Sequence, residues 1–179
     1  MINDATAFRQ IVARSERMTA QIIYKMIPDT EDRRDLAQDI YLKAFRNLAN
    51  FKHESKLSTW ICQIAYNTCI DHLRKKKIRP LFREDGAFEE DDKEAFVSTG
   101  PIPDNLVMKK ELAGILKTEI DKLPPVYRTL VTLFHTEELS YDEIQEITAL
   151  PAGTVKSYLS RARKTLRDNL LMNYKKGDI

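Results

Sequence analysis

Glycine is scarce in this chain, with five in 179 residues, and alternating β-branched runs of the kind that build sheets are few. Leu, Ile, Ala, Lys, Arg and Glu recur at helical spacing instead, so the fold class expected is all-α. Cysteine is also rare. Cys62 and Cys69 lie seven apart on what reads as one helix, about 10 Å apart along its axis and too far for a disulfide. Both are expected to be buried structural thiols in a reducing compartment. The three histidines, His53, His72 and His135, show no ligand spacing, so no metal is expected. A Gly-rich phosphate loop and a nucleophile flanked by a base are both missing, which excludes the common enzyme classes and any cofactor. No long apolar run is present. The N-terminal MINDATAFRQIVARSERM is interrupted by charge, so neither a signal peptide nor a membrane insertion is expected, and the location expected is cytoplasmic.

Charge of both signs is plentiful, and the net +2 conceals blocks of opposite sign. Phe8, Ile11, Val12, Ile22, Ile23 and Met26 predict one long helix from Asp4, ended near Pro28, with Asp29 or Thr30 capping the next. That second helix runs to about Asn50, with Leu36, Ala37, Ile40, Ala44 and Leu48 inward and Asp32, Asp35, Asp39, Lys43 and Arg46 outward. A third opens at Ser58 or its neighbour, passes through Trp60, Ile61, Ile64, Ala65 and Leu73, and ends in a basic run closed by Pro80. Residues 84–94 then pack seven acids against one lysine, which is linker composition, expected to be flexible. From Leu106 a second helical set follows, with Leu112, Leu116, Ile120 and Leu123 on one face and Pro124-Pro125 starting a helix through Tyr127, Leu130, Val131 and Phe134. The expectation is two small helical domains, 1–79 and 106–175, joined by an acidic linker over 80–105.

The stretch from Leu139 to Leu166 carries the densest signal. Ser140 and Glu143 form a capping box ahead of Ile144 and Ile147, so a helix starts near Tyr141. Leu150-Pro151-Ala152-Gly153 breaks the run, and a second helix starts close to Ala152. Along it Val155, Leu159, Ala162 and Leu166 make one apolar stripe. Lys156, Ser157, Ser160, Arg161, Arg163, Lys164 and Arg167 remain outside, with no acid among them. This is a helix-turn-helix of winged-helix type without a wing, and its basic face suits phosphates and base edges. A basic amphipathic helix also suits a membrane surface or an acidic partner. Capping box, broken connection, apolar stripe and acid-free face together favour DNA.

The third helix adds a second constellation, because Trp60, Tyr66 and Asn67 share it with the run from Arg74 to Arg79. Cations that track a backbone, beside a ring or amide that holds an unstacked base, suit single-stranded DNA. A lone Trp also fits a small helical core, and lysines at a helix end also favour the helix dipole.

Taken together, the residues resemble a bacterial RNA polymerase sigma factor of the extracytoplasmic-function class, over nearly the whole chain. DRRDLAQDIYLKAFRNLANF is similar to that family's polymerase-binding helix, and KLSTWICQIAYNTCIDHLRKKKIR to its promoter-melting helix. The stretch from Leu123 to Leu170 is similar to its fourth region, while the middle domain of housekeeping members is absent. The resemblance implies transcription initiation with core RNA polymerase and promoter DNA as partners, a probable anti-sigma factor, and a monomer outside these complexes. It implies that Asp35, Gln38, Asp39, Lys43 and Arg46 contact polymerase. The loop from Phe51 to Lys56 with Trp60, Gln63 and Asn67 would hold the melted minus-10 strand, including a flipped base, while Lys75, Lys76, Lys77 and Arg79 grip phosphates. Thr154, Lys156, Ser157, Ser160, Arg161 and Lys164 would face the minus-35 duplex. The family often has arginine where Lys156 and Tyr158 stand, and lysine lacks the fork that reads guanine. A stand-alone helix-turn-helix regulator and a polymerase-binding adaptor without DNA contact are the alternatives. The regulator has no use for the charged face from Asp35 to Arg46, and the adaptor has none for Lys156, Arg161 and Lys164.

Overall fold

The computed structural model describes residues 2–76 and 106–173, with side chains over 12–76 except at 14, and over 110–173. The acidic stretch, Lys77 and Arg79 lie outside the described residues. Every regular element among the described residues is a helix: α1 (Ile2–Met26), α2 (Thr30–Asn47), a single 3-10 turn (Leu48–Asn50), α3 (Leu57–Lys75), α4 (Leu106–Asp121), α5 (Pro125–His135), α6 (Tyr141–Thr148) and α7 (Ala152–Asn173). None of these helices is long and apolar enough to cross a membrane.

The turn between α1 and α2 is fastened by local chemistry. Asp29 sits in extended geometry and its carboxylate accepts the Asp32 amide at 2.9 Å, which satisfies one orphan donor of α2. Arg33 Nε donates to the Ile27 carbonyl at 2.6 Å, and its guanidinium lies 4.4 Å from the centre of the Tyr24 ring. α2 stops at Asn47, with Leu48 to Asn50 tightened into the 3-10 turn rather than continuing as α-helix. At the start of α3 the cap position falls to Lys56, which makes no side-chain cap bond, and not to Ser58. Backbone geometry is the reason: the chain is still extended at Lys56 (ψ 139°) and Ser58 is already inside the first turn.

Ile22, Ile23, Met26, Leu36, Ile40, Cys62, Ala65, Cys69 and Leu73 interlock α1, α2 and α3. The same buried cluster continues through Val126, Tyr127, Leu130 and Val131 of α5, Ile144 and Ile147 of α6, and Val155, Leu159 and Ala162 of α7. The buried cluster is therefore continuous across the two halves. α5 explains why, since Val126, Tyr127, Thr129, Leu130, Val131, Thr132 and Leu133 are all buried, more than one helix face can account for. It packs on α7 on one side and on α1 on the other, while α3 packs against α6. Leu112 and Leu116, which share a face of α4 with Ile120, are 37% and 41% exposed. α4 has few neighbours, and Leu116 lines an open groove with Tyr24, Arg33, Ala37, Lys117 and Ile120.

Cys62 and Cys69 are fully buried and unlinked. Burial pushes their thiols up to about 11 and about 12, which removes the thiolate that reacts. The native protein is expected to be silent to a chromogenic thiol reagent at neutral pH. It should yield two equivalents on unfolding, read as absorbance with and without denaturant.

Candidate nucleic-acid interface

The helix-turn-helix forms from its own short-range contacts. The Ser140 hydroxyl accepts the Glu143 amide at 3.2 Å, and the Glu143 carboxylate accepts the Ser140 amide at 3.0 Å, so the capping box is closed in both directions. α6 ends at Ala149, which adopts left-handed geometry (φ 56°, ψ 22°) and donates its amide to the Gln145 carbonyl at 2.8 Å. An L side chain there costs roughly 1–2 kcal/mol, part of which glycine returns as chain entropy. Ala149→Gly is therefore expected to stabilise the protein by about 0.5–1 kcal/mol, measured by denaturant unfolding.

α7 turns Val155, Leu159, Ala162 and Leu166 into the core, as their spacing predicted. Lys156 and Lys164 stand exposed, with Thr154, Ser157, Ser160 and Arg161 half-buried beside them. The Ser157 hydroxyl donates to the Thr154 carbonyl at 3.0 Å. Tyr158 faces inward, its ring 5.4 Å from Tyr127, and belongs to the packing rather than to the outer surface.

On α3 the residues Trp60, Gln63 and Asn67 recur at intervals of three and four, so they share one face. Trp60 and Gln63 are half-buried and Asn67 is exposed. Phe51 lies 5.2 Å from Trp60 and 4.6 Å from His53, between ring centres. Trp60 is thus the inner member of a three-ring cluster at the mouth of the loop, neither swallowed by the core nor isolated on the surface. The sequence had marked only the loop and the tryptophan. His53, at φ 58°, reaches the cluster through a left-handed turn that nothing in its neighbours announces. Lys75 is exposed, and Lys76 pairs with Asp32, whose carboxyl that bond holds below its usual range.

Asp35, Gln38, Asp39 and Arg46 lie exposed along α2. Lys43 is tied inward, paired with Asp39 at 2.8 Å and donating to the Thr68 hydroxyl at 3.2 Å. Leu42 and Phe45 stand among them, 52% and 53% exposed. Their positions outside the inner stripe were readable from spacing, yet a search for charge passed over them.

Among the described residues three ion pairs cross between the halves. Arg17 meets Glu137 at 3.1 Å, Lys25 meets Asp121 at 2.8 Å, and Lys56 meets Glu143 at 3.2 Å. Glu143 thus serves the cap of α6 and the loop before α3 together, and the Ser140 amide first, then Lys56, holds its carboxyl below the usual range.

The description of sigma-70 region 2 matches residues 11–78, and that of sigma-70 region 4 matches residues 113–166. The ECF RNA polymerase sigma factor SigW of Bacillus subtilis is 36% identical, over 93% of this chain and 90% of its own length. The chain belongs to the extracytoplasmic-function sigma factors. It is a promoter-specific transcription initiation factor, built from the second and fourth regions of that family. The sigma-E factor of Escherichia coli strain K12 is 33% identical over 91% of this sigma factor and 86% of its own length. Two solved structures share the fold. CnrH in complex with the cytosolic domain of CnrY has a TM-score of 0.63 at 22% identity, covering 94% of this chain and 90% of that one. RpoE of Bartonella quintana in complex with the anti-sigma factor NepR has a TM-score of 0.63 at 23% identity, covering 93% and 98%. The region 2 match takes in α2 and α3, and the region 4 match takes in the helix-turn-helix.

Proposed function

We propose that this sigma factor grips core polymerase through α2 and the promoter at two points, α7 on the minus-35 duplex and α3 on the melted minus-10 strand. The observation that carries the reading is the pairing, on one chain, of an outer face on α7 that holds no acid from Thr154 to Lys164 with the aromatic and amide face of α3. Lys156, Ser157 and Arg161 read the upstream groove, with Thr154, Ser160 and Lys164 beside them on the backbone. Trp60 with Phe51 offers a stacking platform, worth about 1–3 kcal/mol per base, while Gln63 and Asn67 hold base edges. Lys56, Lys75, Lys76, Lys77 and Arg79 hold phosphates, and loading onto DNA frees Lys56 from Glu143 and Lys76 from Asp32. Asp35, Gln38, Asp39, Lys43 and Arg46 surround Leu42 and Phe45 in the polymerase contact.

The two regions act as separate domains, 1–79 and 106–175, once polymerase is bound. In the arrangement described above α3 lies against α6, so gripping two spaced promoter elements requires that face to part. Acids in the segment 84–94 act on nascent RNA or the template path, by mimicking nucleic-acid charge. The factor makes no bond itself, works in the cytoplasm, and is monomeric outside its complexes. Relatives solved with CnrY and NepR support an anti-sigma partner for this chain as well. Transcription in vitro with purified core polymerase on a panel of genomic fragments tests the reading. RNA from a defined subset is the expected result, and no initiation on any fragment overturns it.

A further inference from the structure

α7 carries a further cation, Arg163, that the minus-35 assignment does not use, on the same flank as Lys156. Phe134 at the end of α5 and Tyr141 at the start of α6 stack with ring centres 5.0 Å apart and planes 30° apart. The Arg163 guanidinium carbon lies 5.4 Å from the centre of the Phe134 ring, and Lys156 Nζ lies 5.6 Å from the centre of the Tyr141 ring. Lys156 and Arg163 are seven residues apart, two turns of α7, so both belong to one flank of that helix. Neither pairs with a carboxylate among the described residues, whereas Arg17, Lys25, Lys43, Lys56 and Lys76 all do. Arg163 Nε is buried and has no hydrogen-bond partner among the described residues.

A carboxylate that orders a cation also cancels its charge towards DNA. A ring orders it and leaves the charge intact. The quadrupole of an aromatic face holds an ammonium or guanidinium at about 0.5–1 kcal/mol in exposed sites, enough to narrow the rotamers of a long side chain. Phe134 and Tyr141 come from the two helices that flank the approach to α7, so the ring pair sets the flank's position relative to the rest of the motif. His135, edge-on to Phe134 at 4.9 Å, has its imidazole pushed towards the neutral form by burial first and by Arg163 second. It therefore adds no carboxylate-like compensation, and no acid lies in the group.

We propose that Phe134 and Tyr141 are positioning residues for promoter binding, a stacked ring pair that holds Arg163 and Lys156 as uncompensated cations, with Arg163 as an additional contact to the duplex phosphates. This rests on the reading of α7 as the helix that meets the minus-35 duplex.

The test uses the full chain bound to core polymerase, on a fragment from which it initiates, with affinity measured across a salt series. Arg163→Ala is expected to weaken binding and to lower the slope of log affinity against log salt by about one, the loss of one phosphate contact. Tyr141→Leu and Phe134→Leu are each expected to weaken binding about two- to fivefold near 0.1 M salt, while Tyr141→Phe, which keeps the ring, stays at the parent value. Phe134→Leu added to Arg163→Ala should cost nothing further. A merely structural role would make those two losses additive. Additive losses, or parent affinity and slope for Arg163→Ala, overturn the proposal. Unchanged affinity in the triple variant Lys156→Ala, Ser157→Ala, Arg161→Ala would instead sink the parent reading of α7. Thermal unfolding of each variant separates loss of fold from loss of contact.

Discussion

Locking the two halves together is expected to reduce promoter-directed transcription at least tenfold. Arg17 and Glu137 face each other across the boundary at 3.1 Å, and neither belongs to the proposed DNA or polymerase surfaces. Replacing both with cysteine and joining them with a short bismaleimide would tie α1 to the turn after α5, spanning side chains too long to be replaced by a direct disulfide. Cys62 and Cys69 would not interfere, because both are buried and their thiols stay protonated at neutral pH. The doubly substituted but unlinked protein supplies the reference activity, because it has lost the same pair of side chains, 76% exposed at Arg17 and 6% at Glu137. A tie at this point would leave α3 packed on α6 and Lys56 beside Glu143, so the chain could not reach both promoter elements. Equal run-off product from linked and unlinked protein would show that the closed arrangement is compatible with initiation.

A second large effect is expected on α2. Leu42 and Phe45 are more than half exposed within a charged face, an arrangement that suits the desolvated centre of a protein interface ringed by polar groups. Leu42→Ala with Phe45→Ala should leave the midpoint of thermal unfolding near its parent value. Affinity for core polymerase should fall by more than tenfold, because truncating a central apolar anchor commonly costs about 2 kcal/mol or more. Asp35→Ala, on the charged rim, should change affinity less and its salt dependence more. Titration of labelled polymerase with each variant checks this, and wild-type affinity for the double variant would place the polymerase contact elsewhere.

The difference between those two anchors and their charged neighbours shows how far sequence reading reached. Periodicity placed Leu36, Ile40 and Ala44 inward correctly, and by the same count it left Leu42 and Phe45 outward. Neither carries a charge, so nothing in the local pattern sets them apart from ordinary surface apolar residues. Leu112 and Leu116 mark the opposite limit. Their spacing is that of a buried stripe, but spacing states which residues share a face, not whether another element covers it.

Interactions confined to a few residues were decided by the sequence itself. The capping box of Ser140 and Glu143, the break at Pro151, the stripe from Val155 to Leu166 and the cap at Asp29 each depend on partners within one or two helical turns. Local pattern therefore determined the helices, the helix-turn-helix and the basic face of α7. Only the tertiary structure decided that α5 is buried on two sides, that both halves share a core, and that Lys56 lies against a carboxylate 87 residues away. The ring bed under Lys156 and Arg163 was decided there too, because Phe134, Tyr141 and Arg163 come from three different helices. Such contacts depend on how apolar faces pair once loop closure has brought them together, and that pairing is a property of the whole set of faces rather than of any one segment.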